Sequence, residues 1–371
     1  MSKTLQDYAT LINDTIQSNE INHYITTDNM CQNLGGIDTF KNINIPQGKV
    51  RSFQKDDVLL SNIRLYFRKV YRAKQKGGCS SDVLVFRAKH IDSATLFAIL
   101  SSQIFTDYAC SGSQGSKMPR GNKTHMMDFK IPTINFTIAK IFNSIQNKIE
   151  NNHKINELLH KILELLYEQY FVRFDFLDEN NKPYQTSGGK MKFSKELNRL
   201  IPNDFEVKTL GELTQLKVGN KNANHSSNQG KYPFFTCSNN PLRCETYQFE
   251  GKHIIISGNG NFYVTHYDGK FDAYQRTYVV SPNNPNHYIL IYLFVKSYTN
   301  YLKLQSRGSI IKFITKSDIE NIKIVLPNLK TYAKWNNVLK MIENNNQSTQ
   351  TLTALRDFLL PLLLTQQVKP Q

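Results

Sequence analysis

The four residues Ile149–Asn152, with the sequence IENN, occur again at Ile342–Asn345, 193 positions later. Four further pairs match at the same offset and in the same order, and all of them precede IENN in the chain. They are Tyr108 with Tyr301, Gly115-Ser116 with Gly308-Ser309, Lys123 with Lys316, and Lys130-Ile131 with Lys323-Ile324. One match of four letters can arise by chance in a chain rich in asparagine, but a whole series in order at one offset is hard to attribute to chance. The chain is therefore predicted to contain two copies of one unit.

The similarity continues towards the beginning of each copy, but at different offsets. Thr4–Leu11 resembles Thr209–Leu216 at an offset of 205, and Asp57–Asn62 resembles His253–Gly258 at an offset of 196. Changes of offset indicate insertions, which proteins accommodate in loops. A repeating unit of roughly 150–190 residues has the size of a domain rather than of a solenoid repeat.

The first part of each copy has the sequence pattern of a β-rich domain. Apolar or alternating runs with β-branched and aromatic residues, broken by glycine and asparagine, predict strands within 57–73 and 253–271. Two stretches with an apolar face, 93–109 and 287–303, predict helices among the strands. Each copy is thus expected to begin with a mixed domain dominated by strands.

The second part of each copy is predicted to be a long helix. In the first copy, apolar residues recur mostly every three or four positions, at Ile138, Ile141, Ile145, Ile149, Ile155, Leu158, Ile162, Leu165 and Leu166. The second copy has a similar stripe at Trp335, Leu339, Ile342, Leu352, Leu355 and Leu359, and both stripes thin out directly after IENN. A helix of about 33 residues would be ~50 Å long, which is typical of a coiled coil or a bundle.

Two similar stripes in one chain can bury each other, and antiparallel pairing would give the molecule a pseudo-two-fold axis. The alternative is that each helix packs only on its own domain. The predicted fold class is α+β, with two mixed, β-rich domains in tandem, each followed by a long helix, and with the helices paired as an antiparallel coiled coil. The predicted limits are 1–134 for the first domain, 135–178 for the central helix, 179–204 for a linker, 205–328 for the second domain and 329–371 for the C-terminal helix.

The charge balance indicates a polyanionic partner. The chain carries 46 lysine and arginine residues against 30 aspartate and glutamate residues, which gives a net charge of +16. Such a charge attracts polyanions, of which nucleic acid is the first candidate. The alternative is that the proteins of the source are basic in general, which would give the same composition without a polyanionic partner. The N-terminal residues lack the apolar core of a secretory signal, and no run reaches ~18 apolar residues, so we expect a cytoplasmic protein.

The sequence lacks the common signatures of catalysis. It contains no glycine-rich nucleotide loop, no H-E-x-x-H, no G-x-S-x-G and no Asn/Asp-Pro-Pro-aromatic motif of adenine methyltransferases. The cysteines, at positions 31, 79, 110, 237 and 244, are odd in number and form no C-x-x-C pair. Their spacing implies neither a disulfide framework nor a zinc site. We therefore expect no catalytic residue and no metal site.

A basic segment with interleaved aromatic residues is the first candidate for DNA contact. Six positive charges fall within 13 residues, at Arg64, Arg68, Lys69, Arg72, Lys74 and Lys76, and Tyr66, Phe67 and Tyr71 lie between them. Lysine and arginine can bind phosphates while the aromatic rings anchor the strand. The alternative is the solvated face of a β-hairpin.

The two Gly-Ser segments are the second candidate. They carry positive charges at equivalent places, namely Lys117, Arg120 and Lys123 in the first copy and Arg307, Lys312 and Lys316 in the second. Backbone N–H groups, hydroxyls and nearby positive charges suit phosphate contact, although a repeated Gly-Ser segment could also be only a turn. Base edges could be read by the side chains of Asn259, Asn261, Gln275 and Arg276.

The tandem arrangement of β-rich domains and long helices resembles the specificity (S) subunits of type I restriction–modification enzymes. Phe171–Leu213 is similar to that family's central region, Gly308–Pro327 and Leu355–Val368 are similar to its C-terminal signature, and Gly115–Pro132 is similar to the matching part of the first half. The resemblance covers nearly the whole chain. It departs from the family's pattern in Leu360–Val368, where a basic residue and an acidic turn are expected.

The resemblance implies a subunit without an active site of its own. In that family each recognition domain reads one half of a bipartite, asymmetric DNA site, and the paired helices fix the spacer and bind two adenine-specific methyltransferase (M) subunits. The M subunits carry S-adenosylmethionine and flip the target adenine, and restriction (R) subunits with ATP and Mg²⁺ can join. The rival expectations are a stand-alone two-domain DNA-binding protein or regulator, and an enzyme with its own nuclease or transferase activity. The apolar segment Phe358–Leu364 favours a partner surface and so the first reading.

Overall fold

The structure is a computed structural model that describes residues 3–38, 43–131, 134–227, 229–327 and 333–362, without the side chains of residues 333 and 334. The chain divides into two compact units. Unit 1 consists of the residues up to 155 together with those from 344 onward, and unit 2 consists of residues 156–343. The division therefore falls within the two segments that the sequence predicts to be long helices.

The first repeat lies in unit 1. Its strands are β1 Ala9–Ile12, β2 Thr15–Gln17, β3 Tyr24–Ile25, β4 Lys49–Phe53, β5 Val58–Ser61, β6 Val70–Arg72, β7 Gly77–Cys79 and β8 Val83–Ala88. Its helices are α1 Leu5–Tyr8, α2 Ser93–Ser101, α3 Gln103–Ser111 and α4 Lys123–Met127. Strands β1, β8, β5 and β6 form one antiparallel sheet in that order, and β2, β4, β7 and β3 form a second sheet in which β3 and β7 are parallel.

The long helix α5 Phe136–Tyr167 comes next and ends in one π-helical turn. The later strands are β9 Met191–Ser194, β10 Arg199–Pro202, β11 Glu206–Thr209, β12 Thr214–Val218, β13 Tyr232–Phe235, β14 Leu242–Cys244, β15 Phe249–Ser257, β16 Val264–Ala273, β17 Thr277–Pro282 and β18 Lys323–Leu326. The later helices are α6 Leu210–Leu213, α7 Tyr288–Ser297, α8 Thr299–Gln305, α9 Lys316–Glu320 and the long α10 Ala333–Leu362. Strands β12, β17, β15, β16, β13 and β14 form one sheet in that order, β11 pairs with β18, and the segment predicted as a linker contains the hairpin β9–β10.

The predicted repetition is present in the backbone of both units. In unit 1, Thr4 and Asp7 form a capping box at α1, and in unit 2, Thr209 and Glu212 form the same capping box at α6. The strand after each of these helices, β1 or β12, pairs antiparallel with the strand before the apolar helix of its repeat, β8 or β17. The similarity of Thr4–Leu11 to Thr209–Leu216 thus reflects one local fold that occurs twice.

Each repeat buries an apolar helix against its own sheet. Residues Leu96–Leu100 of α2 and Tyr288–Leu293 of α7 are all buried. A helix that is covered on every side is apolar all round, and this is why these two segments read as nearly continuous apolar runs. The two helices belong to the main hydrophobic cores of unit 1 and unit 2, respectively.

Helix α5 has 32 residues, close to the predicted length. Apart from Ala139 and Gln146, its buried positions recur at steps of three, four or seven residues: Ile138, Phe142, Ile145, Ile149, Asn152, Asn156, Leu163 and Tyr167. We call this row the seam. The seam does not end at IENN: Asn152, its last residue, and Asn156 are buried, and Leu163 and Tyr167 continue the row. Within the described residues, none of the helices combines the length and the apolar character that a membrane span requires.

The predicted phase of the α5 stripe is wrong in part. Five apolar residues that were assigned to the buried face are 42–55% exposed: Ile141, Ile155, Leu158, Ile162 and Leu165. The later four of these repeat every three or four residues, as the seam does, but they are offset from it around the helix. A helix with two rows of equal period does not reveal from its sequence which row is buried.

In unit 1 the two long helices pack against each other. Asn152 Nδ2 donates to Thr349 Oγ1 at 3.2 Å, and Arg356 Nη1 donates to Gln146 Oε1 at 3.1 Å. The earlier residue of α5 therefore meets the later residue of α10, so the helices are antiparallel. The guanidinium of Arg356 is buried in this pairing and also donates to Asn33 O at 3.3 Å.

In unit 2 the pairing runs in the same antiparallel direction. Asn156 Nδ2 donates to the carbonyl oxygen of Ile342 at 3.2 Å. In the π-helical turn that ends α5, the ring of Tyr170 meets the ring of Trp335, near the start of α10, edge to face at 5.1 Å. The predicted antiparallel pairing is confirmed in both units, and the alternative that each helix packs only on its own repeat is wrong.

Candidate nucleic-acid interface

Each repeat presents a short loop that begins with the Gly-Ser pair. In unit 1 the loop is closed by two backbone hydrogen bonds between Gln114 and Arg120, of 2.9 and 2.8 Å, and in unit 2 by two between Arg307 and Phe313, of 3.0 and 2.8 Å. The first residue inside each loop is a glycine with a φ of +99°. An L side chain adopts this backbone conformation only with strain. The recurrence of Gly-Ser in the sequence therefore corresponds to one loop geometry in both units.

Each loop is held against the turn that follows the central strand of its sheet. In unit 1 this turn follows β5, and Arg64 N donates to Pro119 O at 2.9 Å. In unit 2 it follows β15, and Gly260 N donates to Lys312 O at 2.8 Å. Both donors have a positive φ, of 51° at Arg64 and 73° at Gly260. Arg64 of unit 1 thus occupies the backbone position that Gly260 occupies in unit 2.

A short helix begins directly after each loop. Asn122 caps α4 and Thr315 caps α9 with their side chains. Lys123 and Lys316 take the first position of these two helices, and both side chains are exposed. The two predicted lysines therefore occupy equivalent places beside the loops.

In unit 1 the loop gathers four of the predicted cations, namely Arg64, Lys117, Arg120 and Lys123, which we call loop cluster 1. Arg64 Nη2 donates to Lys117 O at 3.3 Å, which fixes the guanidinium against the loop. Arg120 Nη2 lies 3.0 Å from Asp82 Oδ1. Lys117 and Lys123 are exposed at the surface. The cluster therefore presents positive charge on a backbone that its own hydrogen bonds hold in place.

In unit 2 the equivalent loop carries Arg307, Lys312 and Lys316. Arg307 Nη2 lies 3.1 Å from Asp318 Oδ1, and Lys316 Nζ lies 3.4 Å from Glu320 Oε1. Although burial raises the pKa of Asp318, hydrogen bonds from Thr315 and the charge of Arg307 hold it below its usual value. Ion pairs therefore orient two of the cations, while Lys312 is exposed at the surface.

Three of the four side chains predicted to read bases, those of Asn259, Asn261 and Arg276, belong to residues beside the same loop. Asn259 pairs with Phe313 across a β-bridge, and its buried Oδ1 has no hydrogen-bond partner. Asn261 Nδ2 donates to the hydroxyl of the nearby Tyr263 at 3.0 Å. Gly258 N donates to Arg276 O at 2.7 Å, which brings Arg276 next to Asn259. We call Asn259, Asn261, Arg276, Arg307, Lys312 and Lys316 loop cluster 2.

The cations of the basic segment 64–76 in unit 1 do not all have the same kind of contact. Four of its side chains donate to oxygen atoms of their own unit: Arg68 to Ser101 O (2.9 Å), Lys69 to Thr27 O (2.6 Å), Arg72 to Ser93 Oγ (3.5 Å) and Lys74 to Asn147 Oδ1 (2.6 Å). Burial lowers the pKa of the Arg68 guanidinium. Within this segment, Arg64 joins loop cluster 1, whereas DNA contact by Arg68, Lys69 and Arg72 stays a prediction.

The loops also expose apolar side chains that the sequence analysis did not select. Ile310 is 94% exposed and Ile311 is 62% exposed in unit 2, and Met118 is 53% exposed at the corresponding loop of unit 1. Their signal in the sequence is an apolar residue within three positions of the Gly-Ser pair, flanked by lysine or arginine. An apolar side chain beside phosphate-binding charges can contact a thymine methyl group or a base step.

Comparison with known proteins bears on this arrangement. The family described as type I restriction modification DNA specificity domain matches residues 202–355. The specificity subunit of the type I restriction enzyme EcoDI of Escherichia coli is 38% identical over 132 residues, which are 34% of this chain and 28% of that protein. The specificity subunit of the type I enzyme MjaIX of Methanocaldococcus jannaschii is 24% identical over 301 residues, 72% of this chain and 67% of that protein.

A solved structure shares the fold. The S subunit of the type I restriction–modification system of M. genitalium matches with a TM-score of 0.61 and 16% identity, over 98% of this chain and 96% of that chain. The protein therefore has the fold class of proteins with two repeats and long helices. The resemblance to type I specificity subunits that the sequence predicts is confirmed. The chain is similar to the type I specificity subunits, and its residues 202–355 match the family described as their DNA specificity domain.

Proposed function

We propose that this chain is the sequence-specific DNA-recognition subunit of a type I restriction–modification complex, in which each repeat reads one half of a bipartite site. The observation that carries the proposal is the loop cluster that occurs in both units. Each cluster combines exposed lysines, which suit phosphates, with arginines, which can contact phosphates or base edges, and loop cluster 2 adds the amide side chains of Asn259 and Asn261. Because the two clusters differ in these side chains, the two half-sites differ and the site is asymmetric.

The helices supply the surface for the partner subunits in this proposal. On α5, Leu158, Ile162 and Leu165 follow one another at steps of four and three, and all three are about half exposed. On α10, Leu355 and Phe358 are 45% and 69% exposed. Rows of large apolar side chains on a helix surface indicate a protein contact. The last residues of the predicted surface Phe358–Leu364 lie outside the described residues.

We assign the chemistry to the partners. Two adenine-specific methyltransferase subunits would bind to the helices, carry S-adenosylmethionine and flip the target adenine out of the duplex. Restriction subunits that use ATP and Mg²⁺ would join the complex when DNA is cleaved. The chain described here would contribute recognition and spacing, and no catalytic residue.

The decisive experiment is to co-express the chain with the methyltransferase encoded beside it and to map methylated adenines across the genome. We expect a split motif with a spacer of fixed length. The double variant Lys312→Ala/Lys316→Ala in unit 2 and its match Lys117→Ala/Lys123→Ala in unit 1 should both reduce the extent of methylation without changing the motif, because phosphate contacts carry no sequence information.

Two outcomes would contradict the proposal. One is the absence of methylation when the methyltransferase is shown to be active with another specificity subunit. The other is a short, continuous palindromic motif, which two unlike readers on one chain would not produce.

The rival reading is a stand-alone DNA-binding protein or regulator. It predicts that the purified chain alone binds one site tightly and affects transcription beside it, with no change when the methyltransferase gene is deleted. Cleavage or methylation of DNA by the purified chain alone would instead support an enzyme and would overturn both readings.

A further inference from the structure

Three side chains of unit 2 that are distant in sequence meet at one edge of its large sheet. His225 ends a short 3₁₀ turn, Cys244 is the last residue of β14, and Asp272 lies on β16. The His225 nitrogen, the Cys244 sulfur and a carboxylate oxygen of Asp272 all lie within 4.8 Å of one another. Each is an atom type that binds transition metals.

The carboxylate of Asp272 is fully buried and lacks one partner. Its Oδ2 accepts from Thr246 Oγ1 at 2.6 Å and lies 3.2 Å from His225 Nε2. Its other oxygen, Oδ1, is buried and has no hydrogen-bond partner. A buried carboxylate that is not fully hydrogen-bonded is unfavourable, and a bound cation would remove this penalty.

The geometry suits a tetrahedral ion. Zinc lies about 2.3 Å from a thiolate and about 2.0–2.2 Å from a histidine nitrogen or a carboxylate oxygen, so its ligand atoms are about 3.3–3.6 Å apart. The 3.2 Å between His225 Nε2 and Asp272 Oδ2 is close to this spacing, and all three candidate ligand atoms lie within 4.8 Å of one another. A set of one sulfur, one nitrogen and one oxygen favours zinc over Mg²⁺ or Ca²⁺, which prefer oxygen alone.

The neighbouring residues support the same arrangement. The hydroxyl of Thr246 orients the carboxylate of Asp272, and the ring of Phe234 meets the His225 ring edge to face at 5.4 Å. Ligands of structural metals are commonly held in this way by surrounding groups. Cys244 and Asp272 are fully buried, and the side chain of His225 is 24% exposed.

The first repeat provides an internal comparison. In unit 2, β13 and β16 are parallel and pair Phe234 with Asp272, and in unit 1, β3 and β7 are parallel and pair Tyr24 with Gly78. Gly78 therefore holds the register position of Asp272 and offers no ligand. At these paired strand positions, the second repeat has a candidate metal ligand and the first repeat has none.

We propose that His225, Cys244 and Asp272 bind a zinc-type divalent ion, with a fourth position left to water or another donor. The ion would connect the turn at His225 to β14 and β16 and so fix the outer edge of the sheet in unit 2. Since a structural metal contributes its binding free energy to folding, its removal should weaken unit 2 and leave unit 1 unchanged. This inference is independent of whether the chain binds DNA.

The test uses the full chain without a polyhistidine tag. We expect about one zinc ion per chain after purification without chelators, measured by mass spectrometry of the metal. Because zinc has no visible spectrum, the chelator-treated protein is then titrated with Co²⁺, which should give visible ligand-field bands and a near-ultraviolet thiolate-to-cobalt band.

Single variants assign the ligands. Cys244→Ser should abolish the thiolate-to-cobalt band, and Asp272→Asn and His225→Gln should each weaken Co²⁺ binding at least ~10-fold. Cys237→Ser is the matched control, since Cys237 is a partly buried cysteine of the same unit and should leave the spectrum unchanged. Absence of the thiolate band from the wild-type titration would overturn the proposal, whether or not the variants fold. Its persistence in Cys244→Ser, or its loss in Cys237→Ser, would do the same.

Discussion

At the scale of single residues, backbone conformation shapes the loop clusters. Gly115 and Gly308 both open their loops at a φ of +99°, and Arg64 and Gly260 both have a positive φ in the turns that hold these loops. Glycine adopts such a conformation freely, whereas other residues are strained in it. These positions give the clusters their geometry and explain why the Gly-Ser pairs recur.

The two loop glycines make a matched pair for mutation. A Cβ at Gly308 would lie 2.3 Å from Ile311 O, whereas a Cβ at Gly115 would lie 3.6 Å from Met118 O. We expect Gly308→Ala to lower the free energy of unfolding by more than about 1 kcal/mol, and Gly115→Ala to have a smaller effect because only the strain of φ remains. Chemical denaturation of both variants measures this difference, and equal losses would contradict the clash.

A buried histidine predicts a pH dependence of unit 2. Burial, with the nearby charges of His160, Lys252 and Lys296, lowers the pKa of His266 to about 3. The unfolded chain binds this proton with a pKa of about 6.5, so the folded state loses stability as the pH falls from about 6.5 towards 3, and not above this range.

Thermal unfolding between pH 7 and pH 4 tests the role of His266. His266→Gln should flatten the fall in melting temperature over this range, because the substituted side chain binds no proton. An unchanged slope in this variant would show that other groups cause the acid sensitivity.

At the scale of elements, the long helices are specified by their seam. Asn152 and Asn156 hold buried seam positions and bond to α10 in unit 1 and unit 2, respectively. A buried asparagine in a coiled coil lowers stability but fixes the register of the partners. IENN therefore marks the point where the seam changes from apolar to polar, and not an end of the helical stripe.

Replacement of one seam asparagine tests this role. We expect Asn152→Leu to raise the melting temperature by a few degrees, because an apolar side chain replaces a polar one in the seam. Asn151→Leu is the control, since Asn151 is exposed and should leave the melting temperature nearly unchanged. A marked fall in Asn152→Leu would mean that its bonds to Ser348 and Thr349 contribute net stability.

At the scale of the whole molecule, each long helix contributes residues to both units. Under the proposed function this continuity sets the spacer between the half-sites. Insertion of one heptad after Asn152 and one before Ser348 keeps the seam in phase. The inserted segment lengthens the pair by about 10.5 Å, or about 3 base pairs.

We therefore expect the spacer to grow by about 3 base pairs with unchanged half-sites, as read by methylation mapping. A four-residue insertion in α5 alone is the control, because it shifts the seam by part of a turn and should lower stability. Changed half-sites with an unchanged spacer would contradict the role of the helices.

Much of this architecture follows from sequence patterns, and some does not. The repeat, the helix length and the antiparallel pairing were predictable, because each depends on periodicity and offset. The buried row of α5 was not, since Leu158, Ile162 and Leu165 repeat with the same period as the seam. The hydrogen-bond partners of Arg68 and Lys69 were not predictable either. The sequence pattern around a charged residue is the same whether its side chain faces solvent or a carbonyl group.

The two-fold repetition, the fold class and the loops of the candidate interface could be predicted from the amino-acid sequence alone. These features are local, or repeat at a fixed spacing, and local spacing is what a sequence records directly. Tertiary contacts were needed to show which helix face is buried, which cations lie in the loop clusters, and that His225, Cys244 and Asp272 meet. Those contacts depend on how strands distant in sequence pair in the sheet, and no local pattern specifies that register.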